Sequence, residues 1–161
     1  MRKTFSAAVW IAILMLAAAG CNKMPAERIL EKGKKLEQKQ KFKEALSQYE
    51  RLVQRFPKNP KVPDAMYSMG NVYMYGLQDY PKAIDTFTRI TTDYSDTLKV
   101  ASQSLFLIGF IYNNFMVDTA KARAAYARFL EKYPKHELAP SVKWEMDHIG
   151  QDINSDPMFN K

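Results

Sequence analysis

Residues 64–94 read DAMYSMGNVYMYGLQDYPKAIDTFTRITTDY, and this stretch decides the fold. Two helical patterns lie in it, joined by a tight turn at Gly76-Leu77-Gln78-Asp79. The first is predicted over residues 63–75. Pro63 sits in its opening turn, where a missing N–H has no helical partner to lose, and Gly76 suits its closing turn. Asp79 then serves as an N-cap, with Pro81 just behind it. The second pattern carries Tyr80, Ala83, Ile84, Phe87, Ile90 and Tyr94, spaced to share one helical face.

The same plan occurs once before this stretch and once after it. Gly33, Gly70 and Gly109 mark the first helix of each pair, 37 and 39 residues apart. A unit recurring at such a period is a stacked helical array. The earlier unit has a helix over 26–38, a turn at Gln40-Lys41, and a second helix carrying Phe42, Ala45, Leu46, Tyr49, Leu52, Val53 and Phe56. Pro57 and Pro60 end it. The later unit has a helix over 98–114, a cap at Asp118-Thr119, and a helix carrying Ala122, Tyr126, Phe129, Leu130 and Tyr133, closed by Pro134. A last helix is predicted over 137–153, with Leu138, Val142, Ile149 and Ile153 as its apolar stripe, followed by a loose polar tail at 154–161. Such a helix suits the terminal cap that a solenoid needs. An interior glycine costs about 1 kcal/mol relative to alanine, so three at matching places imply close approach of the paired helix. Ala45, Ala83 and Ala122 lie twelve or thirteen residues further on and are expected to face those glycines, small against small.

At these residues the chain resembles the tetratricopeptide repeat (TPR) family. The family's Leu-Gly, Tyr, Ala, Phe and Pro places read Met69-Gly70, Tyr73, Ala83, Phe87 and Ser95 in the second unit. They read Gly33, Leu36, Ala45, Tyr49 and Pro57 in the first, and Ile108-Gly109, Tyr112, Ala122, Tyr126 and Pro134 in the third. The resemblance implies an all-α, right-handed α-solenoid of three TPR-like helix pairs plus a C-terminal capping helix, with no strands. Repeats would fall at about 26–60, 61–97 and 98–136, the cap at 137–153. It also implies that the first helix of each pair lines a concave groove. Counting three before, one after and five after each glycine gives Tyr67, Asn71 and Tyr75, then Phe106, Phe110 and Asn114, and in the first unit Leu30, Lys34 and Gln38. Rings supply contact area and amides bind backbone, so this wall suits an extended peptide or a helix. For Phe106 and Phe110 a second reading stands open, simple packing on neighbouring helices.

The N-terminus has the three parts of an export signal: Arg2 and Lys3, an apolar run over 5–19, and small residues Ala17-Ala18-Ala19-Gly20 before Cys21. The run is shorter than the ~20 residues a bilayer-spanning helix needs. Ala-Ala-Gly-Cys resembles a bacterial lipobox. That implies removal of residues 1–20, lipidation of Cys21, and a lipidated tether at 21–25. The other reading is an ordinary secretory signal with a free cysteine. Asn22 stands where Gram-negative lipoproteins retained in the inner membrane tend to carry Asp, so the lipobox resemblance implies an outer-membrane location facing the periplasm.

Net charge is +7, and removing Arg2 and Lys3 leaves 22 basic against 17 acidic residues. In an exported chain this points to lipid headgroups, cell wall or acidic proteins, and away from nucleic acid. Lys32, Lys34, Lys35, Lys39, Lys41 and Lys43 crowd the first repeat, as a solvated face or as a contact with an anionic surface. No catalytic constellation, phosphate loop or cofactor motif is present. His136 reads as a solvated turn residue. His148 has Glu145 and Asp152 within a helical turn, and a solvated face is the expectation there, not a metal site.

Within the family, the second unit is similar to the periplasmic TPR protein of the Tol–Pal system and to the TPR lipoprotein of the outer-membrane β-barrel assembly machinery. The resemblance implies a non-enzymatic, lipid-anchored envelope scaffold that holds a protein or an extended peptide. An assembly factor for unfolded outer-membrane or pilus clients is one alternative. A regulator of a peptidoglycan enzyme is another.

Overall fold

The computed structural model describes residues 25–150. They form seven α-helices: α1 Ala26–Gln38, α2 Phe42–Arg55, α3 Val62–Asn71, α4 Tyr80–Asp93, α5 Leu98–Asn114, α6 Thr119–Lys132 and α7 Ala139–Asp147. No strand occurs among the described residues. Each helix packs on the next, as hairpins α1–α2, α3–α4 and α5–α6 stacked in chain order, with α7 against α6. One continuous core runs through the stack, and its largest fully buried members include Tyr49, Phe87, Tyr126 and Phe129. The molecule is an all-α solenoid of helix pairs.

The glycines do approach the partner helix closely, but not its alanines. A methyl group on Gly33 would lie 2.3 Å from the Tyr49 ring, on Gly70 2.4 Å from Phe87, and on Gly109 2.4 Å from Tyr126. The expected pairing with Ala45, Ala83 and Ala122 is therefore corrected. Each glycine is a flat seat for an aromatic ring sixteen or seventeen residues later. The alanines are also buried, elsewhere in the core.

Gly76 has a different role from the one expected. It is the end of a π-helical turn, Val72–Gly76, that continues α3. The left-handed residue of that turn is Gln78 (φ 53°), and Gln40 and Val117 hold the same place in the other two hairpins. Gly76 lacks a side chain because Phe42, from the preceding repeat, lies 2.8 Å from where a methyl group would be. The π turn has a simple cause. One more residue separates Gly70 from Asp79 than separates Gly33 from Lys41. The first hairpin closes with Lys41 N–H donating to Leu36 C=O, five residues back. The second and third close over six, Asp79 to Tyr73 and Asp118 to Tyr112. The surplus is wound into a wide turn in one and a Phe115-Met116 loop in the other.

Asp79 and Asp118 cap α4 and α6, accepting the N–H of Lys82 (3.2 Å) and Lys121 (3.0 Å). The same lysines reach back to the second carboxylate oxygen at 2.6 and 2.9 Å. These contacts hold both aspartates below the usual carboxylate range, the lysine hydrogen bond being the main cause.

The connection after α2 and the one before α7 are built alike. Asn59 Oδ1 accepts the N–H of Lys61, and His136 Nδ1 accepts that of Leu138 (3.1 Å). With Nδ1 accepting, Nε2 carries the proton and lies 3.0 Å from Ser102 Oγ, which itself donates to Lys99 C=O. His136 is thus a half-buried latch onto α5, packed edge-on to Phe129, and not the solvated turn residue expected.

The last helix is shorter than predicted. Glu137 and Leu138 precede it, it ends at Asp147, and Gly150 turns the chain at φ 79°. Val142 and Ile149 are buried as the apolar stripe required, while Ile153 and the expected tail lie outside the described residues.

Candidate protein-binding face

The residues proposed for the groove sit on α3 and α5, and each row is fixed by the ring seats beneath it. Tyr67 is half-buried and leans on Phe87, with ring centroids 5.8 Å apart. Burial pushes its hydroxyl pKa up, and the Asn71 amide one turn later pulls the other way. Asn71 is half-exposed, and Tyr75 projects into solvent at 62% exposure. The π turn sets this row: it directs Met74 into the core and Tyr75 outward. Tyr67, Asn71 and Tyr75 thus form one strip with an apolar backing and polar tips.

On α5 the wall is more tightly packed. Phe106 stacks on Tyr126 (6.1 Å), and Phe110 lies 6.2 Å from Phe106 and edge-on to Phe115. Both rings are partly buried against the core, so the packing reading holds for one side of each. Asn114 is exposed, and its side-chain amide donates to Phe110 C=O. On α1, Leu30 is buried, whereas Lys34 and Gln38 are exposed and border a hollow of about 440 Å³ shared with Glu37, Phe42 and Ser68.

Sequence reasoning missed two further residues, one on α7 and one at its C-cap. Ala139-Pro140-Ser141-Val142-Lys143-Trp144 repeats the plan of Val62-Pro63-Asp64-Ala65-Met66-Tyr67. The matching turns at Asn59 and His136 fix the same register. Trp144 therefore occupies the Tyr67 place and His148 the Asn71 place. Trp144 is exposed and stacks on His148 at 4.3 Å and 20°. The terminal helix is the opening half of a fourth repeat, with Asp147 where the others carry glycine. A second sign agrees. The buried hydroxyl of Tyr49 lies beside Ser68, and that of Tyr126 feels Glu145, which holds the same register place on α7.

A separate hollow of about 310 Å³ opens on the other side of the stack, between α2 and α4, lined by Glu50, Gln54, Tyr73, Lys82, Asp85 and Arg89. Its charged groups are those of ordinary solvated helix faces. The six lysines of the first repeat are all exposed, with Lys35 paired to Glu31 and Lys41 to Glu44. Among the described residues no three His, Cys, Asp or Glu side chains could share a metal ion, and Asp152 lies outside them. Cys21 and the apolar run before it also lie outside them. No helix among the described residues is long and apolar enough to cross a membrane.

Helix hairpins seated on glycines, with an aromatic and amide strip along their first helices, define a repeat scaffold of the protein-binding kind. The chain belongs to the tetratricopeptide repeat family, whose model matches residues 7–59, 64–97 and 103–136. Comparison with curated proteins gives no match.

Proposed function

We propose that this protein is a lipid-anchored scaffold of the bacterial envelope that binds a protein partner along the first helices of its repeats. TPR repeats mediate protein–protein interaction, and no catalytic family matches here. The observation that carries the reading is the strip Tyr67, Asn71 and Tyr75, which runs from half-buried at Tyr67 to fully exposed at Tyr75 on a core-backed helix. Phe106, Phe110 and Asn114 continue it, and Trp144 with His148 extend it by one helix. An extended peptide segment fits such a surface, its backbone met by amides and its apolar side chains by rings. The anchor rests on the lipobox-like Ala18-Ala19-Gly20-Cys21, and the envelope location rests on the same residues. The likeness to the Tol–Pal-associated TPR protein and to the barrel-assembly lipoprotein supports a periplasmic partner.

Two experiments separate these parts. A photo-crosslinker in place of Tyr75 should yield a discrete protein adduct in native membranes, and one in place of Arg89, on the opposite side, should not. Equal adducts from both positions would remove the strip as the site. Cys21→Ser should shift the protein from the membrane to the soluble fraction. Retention in the membrane would remove the anchor and leave the strip untouched.

A further inference from the structure

The first repeat carries ten basic residues against five acidic ones over residues 26–60, and the second carries three against five over residues 61–97. The groove crosses that boundary, and Lys34 stands at the crossing. It is exposed on α1, one residue after the Gly33 seat, and has no ion-pair partner among the described residues, unlike Lys35 and Lys41 beside it. It borders the hollow of about 440 Å³ whose other walls are Glu37, Gln38, Phe42 and Ser68. Glu37 is the one carboxylate there, and it already accepts the Tyr49 hydroxyl at 2.7 Å. None of the groove residues on α1, α3 or α5, nor Trp144 or His148, is acidic.

Rings and amides accept many apolar side chains and any backbone, so they leave the register of a bound segment open. A free cation at one end of the row fixes it, because charge complementarity sets register and rejects like charge. Resting on the protein-binding reading of this face, we propose that the groove takes an extended peptide segment carrying an Asp or Glu side chain. That carboxylate enters the α1 hollow beside the Lys34 ammonium and the Gln38 amide, and an apolar or aromatic side chain of the same segment meets Tyr67 and Tyr75. The rows on α1 and α3 lie about one helix diameter apart, ~10 Å. An extended chain rises about 3.3 Å per residue, so the acid stands about three residues from the apolar side chain.

An anionic lipid surface suits other lysines of this repeat. Lys32 and Lys43 border a separate hollow with Leu36, Glu44, Ser47 and Gln48. Lys32 is two residues from Lys34, about 200° around the helix, so the two point to opposite sides of α1.

The test selects a phage-displayed library of random peptides on the full chain in detergent. The unaltered protein should enrich sequences with Asp or Glu about three residues from an aromatic or large apolar residue. Lys34→Glu should enrich Lys or Arg at that place instead, and Lys32→Glu, the same change in net charge, should leave the selection as it was. For a synthetic copy of an enriched peptide, fluorescence anisotropy should show about tenfold weaker binding to Lys34→Glu and unchanged binding to Lys34→Arg. The difference should fade near ~1 M salt, where the screening length is about 3 Å. Circular dichroism should be the same for every variant. Enriched peptides without an acid, or with an acid that Lys34→Glu still selects, would overturn the proposal and leave the strip standing as the binding face. No enrichment, or enrichment unaltered by Tyr67→Ala with Asn71→Ala, would remove the groove and the proposal together. Binding to phosphatidylglycerol vesicles that falls with Lys34→Glu, while peptide affinity does not, would assign Lys34 to a lipid surface and overturn it as well.

Discussion

Tyr49 and Tyr126 do the same job in the first and third repeats, and among the described residues only Tyr49 finds a partner for its hydroxyl. Each ring lies flat over a glycine, Gly33 or Gly109, and each is fully buried. The Tyr49 hydroxyl donates to Glu37 Oε2 at 2.7 Å. The Tyr126 hydroxyl is buried with no hydrogen-bond partner among the described residues. The middle repeat places Phe87 there and has no hydroxyl at all. The ring is therefore what the stack demands, and the hydroxyl depends on what the adjoining first helices offer. Glu37 supplies an acceptor in the first repeat; in the third, Asn113 holds the equivalent place, four residues after the glycine, and makes no bond to the Tyr126 hydroxyl.

The largest expected effect tests the shared part. Gly70→Leu puts a branched side chain where Phe87 already lies and should destabilise by about 3 kcal/mol through overpacking. Thermal melting followed by circular dichroism reads this directly, and an unchanged midpoint would break the ring-seat account for all three repeats. The next effect sharpens the difference. Tyr49→Phe should cost about 1.5 kcal/mol, the value of a hydrogen bond to a carboxylate. Tyr126→Phe should be neutral or stabilising, because it removes a buried polar group that gains nothing in the folded state. Equal losses at the two sites would show that the hydroxyls are equivalent after all. The smallest effect concerns Glu145, the residue nearest in charge to the Tyr126 hydroxyl. Burial pushes its carboxyl above the usual range, against the pull of His148. The folded state then holds the proton to higher pH than the unfolded chain does. Its contribution is fully present at acid pH and is lost as pH rises through the folded value, from about pH 4 upward. Glu145→Gln should remove that loss, seen as a flatter dependence of melting midpoint on pH.

The glycines and the aromatic places of the second helices were legible because helical spacing exposes them. What faces a glycine was not. Spacing gives a residue's height along its helix, and Ala83 and Phe87 are one turn apart on the same face. Only the packed structure shows that the ring reaches back over the seat. The π turn was hidden for a related reason. A single extra residue between Gly70 and Asp79 can be absorbed by a loop or by a wider turn, and the second and third repeats do one each. Trp144 could have been read. Its Ala-Pro-x-Val-x-Trp copies Val-Pro-x-Ala-x-Tyr, but the helix that should follow it is missing from the pattern, and the fragment passed for a cap. His136 passed for a solvated turn because its partner, Ser102, lies 34 residues away.

For the groove, sequence supplied the positions through the family likeness, and the structure supplies their exposure and backing. The direct measurement is affinity capture from solubilised envelopes with the double variant Tyr67→Ala, Asn71→Ala beside the unaltered protein. The account predicts that a partner recovered by the unaltered chain is lost by the variant, with helix content unchanged. Recovery of the same partner in the same amount would contradict it.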